Sequence, residues 1–111
     1  MVAPSNTFYI KRNDTAPAIE EYLRNADGTV VPLTGASVQF HMRAGTGTVK
    51  VNSPATIVDI PTGHVKYSWI STDTNAAGTF YREWQVTLAS GLIVTTPNYI
   101  DYPVQIAADI V

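Results

Sequence analysis

Apolar and polar residues alternate strictly along three stretches of the chain. Val38, Phe40 and Met42 share one parity, with Gln39, His41 and Arg43 on the other. Val65, Tyr67 and Trp69 alternate with His64, Lys66 and Ser68, and Phe80, Trp84, Val86 and Leu88 oppose Tyr81, Glu83, Gln85 and Thr87. A period of two puts successive side chains on opposite faces, so each stretch predicts a strand with one packed and one wet face. That is the pattern of antiparallel sheets. The inward parities nominate Phe40, Tyr67, Trp69, Trp84 and Val86 as a core shared by two sheets.

Turn signals between the apolar stretches recur about every 8–12 residues, the spacing of a sandwich or barrel. Strands are predicted over 8–12, 29–33, 36–43, 48–51, 55–60, 64–70, 78–89, 92–96 and 104–110. Residues 16–24 read either as a helix start, through Thr15 and Pro17, or as a strand, through the alternation of Ile19, Glu21 and Leu23. Nine residues between turns favour the strand. Asn25-Ala26-Asp27-Gly28 is a hairpin turn in which Gly28 supplies the positive φ. Pro32 makes 29–33 an edge strand, because a proline cannot donate to a ladder. The prediction is an all-β antiparallel sandwich of about eight to ten short strands, spanning 8–111 behind a flexible arm at 1–7.

Composition narrows the chemistry. The 111 residues include no cysteine, so disulfides and thiolate-ligated metals are excluded. Net charge is −2 and the seven basic residues are scattered, leaving no basic stripe for nucleic acid. No apolar run approaches the ~20 residues of a membrane helix, and residues 1–7 do not resemble a signal peptide. A soluble protein made in the cytoplasm is the expectation.

The two histidines, His41 and His64, fall on outward parities far apart in sequence and form no metal motif. Glu20 and Glu21 are adjacent and cannot face one another as a hydrolytic pair. The aspartates sit mostly at turns and strand ends, where they accept backbone N–H bonds. No Gly-x-Ser-x-Gly elbow occurs, and the glycine-rich stretch 44–50 lacks the ending of a phosphate loop and reads as a hairpin. Arg82 is a charge on an apolar parity, which requires either snorkelling from a sheet edge or a neutralising carboxylate. A non-enzyme without cofactor or metal is expected.

Two segments carry a family resemblance. The first runs from Asn25-Ala26-Asp27-Gly28 through Leu33-Thr34-Gly35-Ala36 to Met42-Arg43. The second comprises Gly63-x-Val65-x-Tyr67-x-Trp69, Asp73-Thr74, and Gly78-x-Phe80-x-x-Glu83-Trp84-x-Val86-Thr87. Their order and spacing resemble the immunoglobulin-like N-terminal domain of tailed-phage baseplate upper proteins and related small virion proteins. Phe80 stands where that family usually has tyrosine.

The resemblance implies an immunoglobulin-like sandwich located in the virion, docking on other virion proteins and assembling as a homo-oligomer. A baseplate or tail component or adaptor is the first expectation, and a capsid decoration protein the alternative. The contact elements expected are the arm (Val2, Pro4, Thr7), the edge near Val30 and Pro32, and the 97–103 loop with Tyr99 and Tyr102. A reading of another class is a carbohydrate-binding module that stacks sugars on Tyr99, Tyr102 and Tyr81.

Overall fold

The structure, a computed structural model, describes residues 6–97 and 102–110. Nine strands occur among them: β1 (Phe8–Lys11), β2 (Ile19–Tyr22), β3 (Ser37–Ala44), β4 (Val49–Pro54), β5 (Thr56–Asp59), β6 (His64–Tyr67), β7 (Gly78–Thr87), β8 (Ile93–Thr96) and β9 (Tyr102–Ala107). They form an immunoglobulin-like β-sandwich. One sheet runs β1-β9-β7-β3-β4, with β8 also on β7, and the other runs β2-β6-β5.

The long strand β7 organises the large sheet. Its whole length from Phe80 to Thr87 pairs antiparallel with β3. Its other side is divided, residues 78–82 pairing with β9 and residues 84–87 with β8. Glu83 therefore sits opposite the junction between β8 and β9.

The inward parities meet between the sheets. Phe40, Trp84 and Val86 are fully buried, and Tyr67 and Trp69 nearly so. Phe40 is the hub of this core: it stacks on Tyr67 at 4.7 Å and meets Trp84 and Trp69 edge-on at 4.7 and 5.6 Å. Offset and edge contacts of this kind suit the ring quadrupoles and add to the burial of apolar area. Residues 16–24 contribute strand β2, with Ile19 in the core.

Several expectations are corrected. The sandwich is not wholly antiparallel, because β1 pairs in parallel with β9. A period of two fixes faces but not direction, and here nearly the whole chain serves as the crossover that parallel neighbours need. Residues 29–33 form no strand. The Asn25 N–H to Thr29 carbonyl bond, the Arg24–Val30 bridge and the Val31 N–H to Leu23 carbonyl bond tie down their first half, and Pro32 has no N–H to extend the ladder. Their alternation nonetheless buries Val31 and Leu33.

The expected turn at 52–54 belongs to β4, which tolerates Pro54 because it is an edge strand. The chain then crosses to the other sheet at Ala55. The β6 ladder stops at Tyr67, short of Trp69. The last strand ends at Ala107, where its partners β1 and β7 also run out, and Ile110 is exposed. The arm lies mostly outside the described residues.

Candidate functional site

Hairpin chemistry places the Asp27 turn. Gly28 has φ +89°, and the Asp27 carboxylate accepts bonds from the Thr29 N–H (3.0 Å) and hydroxyl (2.6 Å). Those two bonds hold the Asp27 carboxyl below its ordinary value. This is turn architecture. It carries no ligand chemistry.

Arg82 points inward and is buried. Its Nε donates to Glu21 Oε1 at 2.5 Å and its Nη1 to the Pro103 carbonyl at 2.6 Å, so a carboxylate from the small sheet neutralises it. The guanidinium also lies 5.3 Å from the Tyr102 ring centre. Tyr102, half-buried, thus packs into the seam between the sheets.

The two histidines share a device that parity alone did not reveal. His41 lies opposite Glu83 across β3 and β7, with Nδ1 2.9 Å from Oε2. On the small sheet His64 Nε2 lies 2.7 Å from Glu20 Oε1, and the imidazole stacks on Tyr22 at 4.5 Å. One pair occupies each outer face. Among the described residues no three histidine, aspartate or glutamate side chains converge.

The exposed apolar side chains follow the topology. Within strands they are Tyr9, Tyr22, Val49, Val58 and Ile93, from 47% exposed at Val58 to 69% at Tyr9. Tyr9, Tyr22, Val49 and Val58 lie on β1, β2, β4 and β5, the outer strands of the two sheets, and Ile93 lies on β8. Among the described residues the interior strands β3, β6, β7 and β9 have none. The edges differ in how they are guarded. β1 carries Lys11, β2 two glutamates, β4 Lys50 and Pro54, and β5 Asp59, all residues that discourage strand addition. β8 is Ile93-Val94-Thr95-Thr96, β-branched throughout and uncharged, with the exposed Leu92 before it. It pairs with β7 on one side, and among the described residues no strand lies on the other.

No family model and no curated protein matches the chain. A solved structure does: CopC from Methylosinus trichosporium OB3b, at a TM-score of 0.52 and 18% identity, covering 95% of this chain and 87% of that one. The likeness supports the fold and goes no further.

Of the contact residues expected from the sequence, Val2, Pro4 and Tyr99 lie outside the described residues. Thr7 is half-buried ahead of β1, Val30 is half-buried in its bridge, and Pro32 is exposed. No edge strand exists at 30–33, so that contact element is withdrawn. The open edge is β8, and its uncharged β-branched run was the signal in the sequence that pointed to it.

Proposed function

We propose that this chain is a non-enzymatic structural module of a bacteriophage virion, in a baseplate, tail or adaptor position, and that it docks on other virion proteins through the β8 edge. The family resemblance supports the virion setting. The observation that supports docking is the placement of exposed apolar side chains on edge strands, with β8 left without a charge or a proline. An edge strand offers a row of backbone donors and acceptors, and an added strand from a partner satisfies them while covering Ile93 and Leu92. Main-chain bonds then supply affinity, and alternate side chains supply selectivity.

The test is Ile93→Lys. Ile93 is largely exposed, so the charge should leave the melting temperature within a few degrees while lowering incorporation into particles, or capture of virion proteins, at least about tenfold. A variant that assembles as well as the natural chain would overturn the proposal.

A further inference from the structure

The outer face of the large sheet holds a depression of about 170 Å³, lined by His41, Arg43, Val49, Asn52, Tyr81 and Glu83. These residues come from three neighbouring strands in register. His41 sits between Asn52 and Glu83, and Arg43 between Val49 and Tyr81. The β3–β4 register shifts between Met42 and Arg43, so that Val49 comes opposite Arg43. Bulges commonly re-aim a side chain beside a site, and here the shift adds an apolar wall to a polar row.

The side chains are already oriented by one another. Asn52 Oδ1 accepts a bond from Gln39 Nε2 at 3.2 Å, which directs its amide N–H groups elsewhere. Glu83 Oε2 is engaged by His41, so Oε1 is the oxygen placed to accept from a ligand. The Arg43 guanidinium lies 5.5 Å from the Tyr81 ring centre.

We infer that this depression binds one ring of a neutral carbohydrate. Its ionisable side chains are of both signs, Arg43 and Glu83 with His41 between them, and Arg82 beneath is paired with Glu21, so the lining is a row of hydrogen-bonding groups and not a field of one sign. Donors and acceptors stand side by side, as a ring bearing adjacent hydroxyls requires, and Val49 offers a surface for its C–H face. The volume suits a six-membered ring, since a cavity of ~150 Å³ holds benzene. A peptide strand is disfavoured because β3 and β7 are interior strands whose backbone groups are committed to ladders, so recognition there falls to side chains. This inference does not depend on the docking proposal.

The test is an amide NMR titration of the whole protein with the methyl glycosides of glucose, galactose, mannose and N-acetylglucosamine. At least one should shift amides around residues 41–43, 49–52 and 81–83 and saturate with a Kd on the order of 1–10 mM, the scale for so few ligand atoms. Asn52→Ala and Glu83→Ala should each weaken it about fivefold or more, by loss of a hydrogen bond. Tyr22→Ala, on the opposite sheet, and Ile93→Lys should leave it unchanged, which separates this site from the docking edge. No response to any of the four sugars overturns the inference. So do shifts centred on Tyr22 or Tyr102, or titrations of the Asn52 and Glu83 variants that match the natural chain.

Discussion

The Glu21–Arg82 pair is a buried ion pair that ties the two sheets together, and removing its acid should be costly. Arg82 is only 6% exposed in its side chain and Glu21 18%. Glu21→Ala leaves the guanidinium facing the core with the Pro103 carbonyl and the Tyr102 ring as its remaining named partners. Stranding one member of a buried pair typically costs about 3–5 kcal/mol. The partial exposure of Glu21 lets water reach the vacated site, so the lower end, about 3 kcal/mol, is expected. In a chain of this size that is a fall of roughly 10–15 °C in the melting temperature. Thermal unfolding followed by circular dichroism reads it directly. The loss should persist in 1 M salt, because buried pairs are screened far less than surface ones. Replacing both partners, as Glu21→Leu with Arg82→Met, should recover most of the stability, since the desolvation of both charges disappears together. A fall of less than about 3 °C for Glu21→Ala, or a double variant less stable than the single, would refute the reasoning.

Two further outcomes follow from the geometry. A Cβ on Gly63 (φ +71°) would lie 2.8 Å from the Leu23 carbonyl oxygen and 3.0 Å from Val30, whereas one on Gly28 (φ +89°) would meet open space. Gly28→Ala should therefore cost about 1 kcal/mol, for the backbone conformation alone, and Gly63→Ala about 3 kcal/mol or more; equal denaturant midpoints would contradict this. Burial first, and then the hydrogen bond and charge of Asp73 (2.7 Å), push the Tyr67 phenol up to about 12. An unfolded tyrosine titrates near ~10. Between these values the unfolded chain releases a proton that the folded one keeps, so stability falls as pH rises from about 10 towards 12, and below about 10 this group adds no pH dependence. Tyr67→Phe should remove that decline, and an equal alkaline fall in both proteins would count against it.

Much of the fold was written in side-chain alternation. Wherever one face of a strand had to be apolar, as along Phe40, Trp84 and Val86, period two marked both the strand and its inward side. What alternation leaves open is the neighbour. Nothing local told β1 to pair in parallel with β9, because that contact joins the two ends of the chain. The crossing at Ala55 was hidden for a similar reason: β4 and β5 are nearly continuous in sequence, and only their partners β3 and β6 distinguish the sheets. Residues 29–33 show the converse. Val31 and Leu33 are buried by their own apolarity, without the ladder that their spacing suggested. The requirement that Arg82 be neutralised was legible, but Glu21 as the partner was not, since a strand 61 residues away supplies it. The parity of β3 alone turns His41 outward, while its neighbours Glu83 and Asn52 depend on register.

Whether this chain is a virion module that docks through the β8 edge is decided by locating it on particles. Purified phage particles should be probed with gold-labelled antibody against the chain, beside the soluble fraction of the same lysate. Labelling is expected at one repeated position on each particle, lost when Ile93→Lys replaces the natural chain. Particles that lack label while the chain stays in the soluble fraction would contradict it.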